Sequence, residues 1–191
     1  ITLIWIRRGF GKRELATICG LSNTSITNIV TKICEDLQFW ACTLVKLPNL
    51  DEWQRSTPKD FLRVFPNTLL FFVDGTVLQI YQSDMIHINR DHWNPKHKII
   101  SITFTILITP DGKIVFASEP YPGKTHDRKV WYQSGINQLL VETYGILMEK
   151  LRKQENVPAL AIGGDKGYIG LVMPQLWKLY ITKSAKKVES E

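Results

Sequence analysis

The chain has 191 residues, 44% hydrophobic and 22% charged, with a net charge of +6. That is ordinary for a globular protein with one sizeable core, or one core plus a small module. The positive surplus is compatible with a polyanionic partner but does not establish one.

Cys19, Cys34 and Cys42 form no CxxC pair, so neither a disulfide scaffold nor a zinc ribbon is expected. Buried free thiols in a reducing compartment fit better. No apolar run approaches the ~20 residues of a membrane span. The start, ITLIWIRRGF, lacks the pattern of a secretory signal. It also lacks an initiator Met and begins inside a helical pattern, which suggests a fragment of a longer, intracellular protein. The location expected is the nucleus in a eukaryote or the cytoplasm in a bacterium.

The first 42 residues read as helices. A short apolar segment, Leu3 to Ile6, stops at Gly9. KRELATICG is a short helix ended by Gly20, and a second helix starts at a capping Ser22. Its apolar residues Ile26, Ile29, Val30, Ile33 and Leu37 recur every three or four positions, one helical face. From 43 to 68 the text is irregular and rich in proline, a connector with one short helix at 58–64.

Strands follow. TLLFFVD is an apolar run typical of a strand buried on both faces. HKIISITFTILI and KIVFASEP flank a Pro-Asp-Gly turn, a hairpin signal. Three strands are therefore expected at 69–81, 98–108 and 113–118. A helix of about four turns comes next, with Ile136, Leu139, Leu140, Tyr144, Leu147, Met148 and Leu151 on one face. PALAIGGD reads as a short buried strand, LVMPQL as a broken helix and LWKLYITK as a last strand. The order strand-strand-strand-helix-strand-helix-strand makes an α/β mixed sheet.

Three constellations carry chemistry. In the first helices, small Ala16, Gly20 at a turn, and inward Ile26 and Ile29 have the spacing of a DNA-binding helix-turn-helix. Asn23, Thr24, Ser25, Thr27, Asn28 and Lys32 would face outward toward bases or phosphates, with Arg7, Arg8, Lys12 and Arg13 nearby. The alternative is an ordinary helical hairpin.

Second, Asp74 and Asp165 each follow a buried apolar run and stand beside glycine. Two rigidly held carboxylates suit a hard cation, Mg²⁺ or Mn²⁺, and two such ions can clamp a phosphodiester. The alternative is a pair of Asp-Gly turns. Third, in PGKTHDRKVW, Thr125 or Asp127 can cap the following helix. Asp127 could instead be a further acid at the metals. Arg90, Lys96, Lys98, Lys124 and Arg128 could face phosphate. The spacing of His87, His92 and His97 fits no common zinc pattern. Trp93 and Trp131 read as packing residues.

Taken together, VDGT at 73–76, the block HWNPKHK through PGKTHDRKVW, GDKGYIG at 164–170 and ITKSAKK resemble the DDE superfamily of transposases, PIF/Harbinger-like and related insertion-sequence endonucleases. The resemblance covers nearly the whole chain. It implies an RNase H-like mixed sheet over 69–191, preceded by a small all-α helix-turn-helix module over 1–42. It implies metal-dependent hydrolysis and strand transfer on double-stranded DNA at transposon ends, with a homo-oligomer as a candidate assembly. It assigns Asp74 and Asp165 to the catalytic acids and matches His126-Asp127 to the motif at the start of the next helix. The family's third acid, a Glu, would come after the basic segment. Neither Glu189 nor Glu191 is assigned to it, so the domain is expected to stop short of that acid. The rival expectation is a catalytically dead or domesticated DNA-binding protein derived from a transposase.

Overall fold

The structure is a computed structural model describing residues 11–153, 158–174 and 177–181. The apolar segment at 3–9, Arg7, Arg8, ITKSAKK beyond Ile181, Glu189 and Glu191 lie outside the described residues. The chain divides into two compact units, 1–45 and 46–191.

In the first unit, α1 (Lys12–Cys19) and α2 (Asn23–Leu44) flank a tight turn. Gly20 adopts φ 65, a left-handed conformation that favours glycine, and its neighbour's amide, Leu21 N–H, closes onto Ala16 O at 3.0 Å. Ser22 caps α2 by accepting from Ser25 N–H at 3.0 Å. Leu15, Ala16, Ile26 and Val30 form a small core. Ile29 is only half buried. α2 runs beyond its expected end.

The second unit begins with α3 (Leu50–Ser56) and α4 (Lys59–Val64). Only α4 was expected, yet Asn49 and Glu52 form a capping box at α3, each accepting the other's backbone N–H. Trp53, Phe61 and Phe65 pack into the main core, so much of the expected connector is part of this unit. Then come β1 (Thr68–Gln79), α5 (Ile86–His92), β2 (Trp93–Asn94), β3 (Ile99–Ile108), β4 (Ile114–Ala117) and β5 (Tyr121–Pro122). They are followed by α6 (Asp127–Gln133), α7 (Ile136–Arg152), β6 (Ala159–Gly164), a 3₁₀ turn at Lys166–Tyr168, and β7 (Trp177–Ile181).

The sheet has the order β2-β3-β1-β6-β7, with β4 and β5 also paired to β3. β1, β3 and β4 are antiparallel, whereas β6 and β7 run parallel to β1. The fold is thus a mixed α/β sheet. β1 and β6 are buried almost throughout their paired halves, which explains their unbroken apolar text. α7 covers the sheet with Ile136, Leu140, Tyr144, Leu147 and Met148, and the Tyr144 hydroxyl donates to Pro48 O at 2.6 Å. The broken helix expected at 171–176 is corrected: Leu171–Pro174 has no regular structure. Pro174 cannot supply a helix N–H, and the Val172 amide is engaged by a side chain of α6.

Glycines set the spacing between β1 and β6. A β-carbon on Gly163 would lie 2.8 Å from Phe72 Cδ1, and one on Gly164 would lie 3.0 Å from Val73 Cγ1. Gly163→Ala should therefore destabilise the second unit by about 1–3 kcal/mol, the usual cost of overpacking. Urea unfolding should show a lower midpoint with an unchanged slope.

Candidate active site

The last registered pair of β1 with β6 is Phe72 with Gly163. Two residues further along each chain come Asp74 and Asp165. The acids therefore emerge side by side from neighbouring parallel strands. Asp74 lies inside β1, in line with the strand expected at 69–81, and β1 continues to Gln79 because β3 pairs it as far as Ser101. What ends near Asp74 is the pairing with β6. Both carboxylates are exposed. Asp74 Oδ1 accepts from Gly75 N–H and Asp165 Oδ1 from Gly167 N–H, each at 2.8 Å. The turn reading holds at Asp165, which caps the 3₁₀ turn.

Asp127 is the third acid of the group. Neither Asp127 nor Thr125 caps α6. The cap is His126, whose Nδ1 accepts from Arg128 N–H at 3.3 Å. Asp127 occupies the first helical position and is half buried. One carboxylate oxygen lies 2.5 Å from where a β-carbon on Gly75 would be, the other 2.7 Å from where one on Gly167 would be. The glycines that follow Asp74 and Asp165 are therefore the space into which Asp127 fits. Burial, and then the charge of Asp165, hold the Asp127 carboxyl above the ordinary range. Asp74 adds in the same sense, while His126 and Lys96 pull the other way. Gly75 and Gly167 are the site neighbours that the sequence does not assign, whereas Lys96, expected only to face phosphate, also acts on Asp127. The signal for the glycines was their place directly after, or two after, each acid.

The turn that carries Asp165 is anchored in the core. Tyr168 is fully buried, its ring edge-on to Trp131 with centroids 6.4 Å apart. Burial pushes its hydroxyl well above the usual phenol range, against the opposing influence of the adjacent Thr105 hydroxyl. Trp131 is a packing residue, as expected, but Trp93 is 44% exposed.

Each remaining candidate has its own setting within its unit. Asn23, Thr24, Asn28 and Lys32 are exposed on α2, Ser25 and Thr27 less so. Ser25 is engaged with Ser22, and Lys32 pairs with Asp36 at 3.1 Å. Lys124 pairs with Asp91 at 2.7 Å. Arg128 Nη1 donates to Ile169 O at 3.1 Å, on the segment after Asp165. His92 Nδ1 is within hydrogen-bond distance of Ile88 O. Among the described residues no three Asp, Glu, His or Cys side chains form a ready-made metal-binding group, and no helix is long and apolar enough to cross a membrane.

A family profile described as DDE superfamily endonuclease matches residues 73–186, more than half of the chain and the span containing all three acids. The chain belongs to that superfamily. No curated protein and no solved structure matches it.

The raised Asp127 carboxyl has a consequence for stability. Above the ordinary carboxylate pKa of 3.8 the unfolded chain gives up this proton more readily than the folded one. Folding then carries a penalty that is complete above the folded pKa and vanishes in acid. Asp127→Asn removes the ionisation. Without added metal, its Tm should exceed that of the wild type at pH 7, and the difference should close below about pH 4. Thermal unfolding across that range checks the sign.

Proposed function

We propose that the protein is a transposase-type DNA endonuclease that uses divalent cations to cleave phosphodiesters and to transfer strands at transposon ends. The observation that carries this reading is the approach of Asp127 to Asp74 and Asp165. Three carboxylates drawn together, one of them half buried, repel one another, and a bound cation offsets that repulsion. The donor set is all carboxylate oxygen, which fits Mg²⁺ or Mn²⁺, ions that keep several waters and take few protein ligands. Asp74 and Asp165 would hold the ion, with Asp127 between them. When bound, it supplies the Lewis acidity that phosphodiester cleavage requires.

The chain's own residues do the rest. Asp74 is fixed by the central strand and Asp165 by the turn it caps. Gly75 and Gly167 keep side chains out of the space between the acids. Tyr168 and Trp131 anchor the Asp165 turn in the core. The order β4-β3-β1-β6-β7, antiparallel then parallel, supports an RNase H-like sheet. For residues 1–42, the Gly20 turn and the exposed Asn23, Thr24 and Asn28 support a helix-turn-helix that docks double-stranded DNA.

A supercoiled-plasmid nicking assay tests the proposal. Nicking should require Mg²⁺ or Mn²⁺ and stop with a chelator. Asp74→Ala and Asp165→Ala should each lower the rate at least ~100-fold, roughly 2.7 kcal/mol of transition-state stabilisation. DNA binding without cation-dependent nicking would replace this reading with the rival one, a DNA-binding protein derived from a transposase.

A further inference from the structure

α6 carries Asp127, but it also carries side chains that reach the segment following Asp165. Arg128 Nη1 donates to Ile169 O at 3.1 Å, and the Tyr132 hydroxyl accepts from Val172 N–H at 2.8 Å. The two residues are four apart, so they project from one face of the helix. Between them, Trp131 packs edge-on against Tyr168. Residues 167 to 172 are thus laid along α6 from its first turn onward. Gly170 fits this arrangement. It adopts φ +79, and a β-carbon there would lie 3.1 Å from Arg128 Nη1.

We propose that Arg128 and Tyr132 are positioning residues that staple the segment after Asp165 to α6 and so fix Asp165 relative to Asp127. The inference rests on reading these acids as the reactive site. Neither side chain belongs to the core: Tyr132 is 49% exposed and Arg128 is exposed. Each bonds a backbone group in a stretch without regular structure of its own. Asp165 is held by the bond to Gly167 and the short 3₁₀ geometry, and its turn is anchored by buried Tyr168. The staples fix the far side of that turn, and without them the carboxylate would sit less firmly relative to Asp127. A displacement of that kind slows chemistry without weakening substrate binding. This assigns Arg128 a duty different from the phosphate contact that its charge suggests in the sequence.

The test uses the full chain with Tyr132→Phe, Arg128→Ala and Arg128→Lys. Tyr132→Phe keeps the ring and removes only the acceptor. In the metal-free protein, exchange of the 166–172 amides, read by mass spectrometry, should be about fivefold faster in Tyr132→Phe and Arg128→Ala, the effect of one lost hydrogen bond. Mn²⁺ affinity, read by calorimetry, should fall in both and recover in Arg128→Lys, which keeps a donor. In nicking, kcat should fall about tenfold while KM for DNA and its salt dependence stay unchanged. Unchanged exchange in both variants would overturn the staple. So would Arg128→Ala raising KM and reducing the salt slope by about one at constant kcat, the behaviour of a phosphate contact. If the wild type does not nick while exchange and Mn²⁺ affinity respond as expected, the positioning role stands and the endonuclease reading alone fails.

Discussion

Gly163 lies against the ring of Phe72 with no room for a β-carbon, and that contact holds β6 in register beside β1. Side chains alternate across a sheet, so a slip of one residue would send the whole apolar set of β6 to the wrong face. It would also carry Asp165 away from Asp74. Gly164 adds a second lock, seated between Val73 and the Tyr168 ring. The relation between the two acids is therefore decided inside the core, by a missing side chain, several ångströms from the chemistry it permits.

The third carboxylate arrives by a different route. α6 starts at His126, and the helix directs Asp127 into the gap left by Gly75 and Gly167. An acid in a first helical turn is favoured by the helix dipole. Here the same acid is half buried and faces like charge, and the raised carboxyl records which effect wins. Lys96 and His126 moderate the crowding without removing it. A site so arranged carries like-charge repulsion among its carboxylates. Such repulsion is a usual feature of reactive sites and a usual source of lost stability.

Much of this was readable in the chain. The apolar runs before Asp74 and Asp165 gave the two central strands, and the Pro-Asp-Gly turn gave the β3–β4 hairpin. Gly20 and Ser22 marked the turn between α1 and α2. What the sequence concealed depended on tertiary partners. The strand expected at 69–81 already runs past Asp74, but that its pairing with β6 stops at Phe72 while β3 carries it on is set by tertiary partners. The cap of α6 was misplaced because histidine is outside the usual capping set, although its ring nitrogen can accept a backbone N–H. α3 was overlooked inside a proline-rich stretch despite the Asn49–Glu52 box. LVMPQL reads as helical by its apolar residues, but within it Leu171–Pro174 has no regular structure, with Pro174 lacking an N–H and the Val172 amide bonded to Tyr132.

Beyond Asp74, β1 has a strand neighbour on one side only. Gly75 to Gln79 pair with β3, and no strand among the described residues pairs the opposite edge. Leu78 on this stretch is 54% exposed. A bare edge of this kind invites strands from other molecules, and natural proteins protect such edges with charge. At its head stand the carboxylate of Asp74 and, against Gly75, that of Asp127. The carboxylates at the head of this edge place negative charge where a second strand would have to dock, which disfavours edge-to-edge pairing.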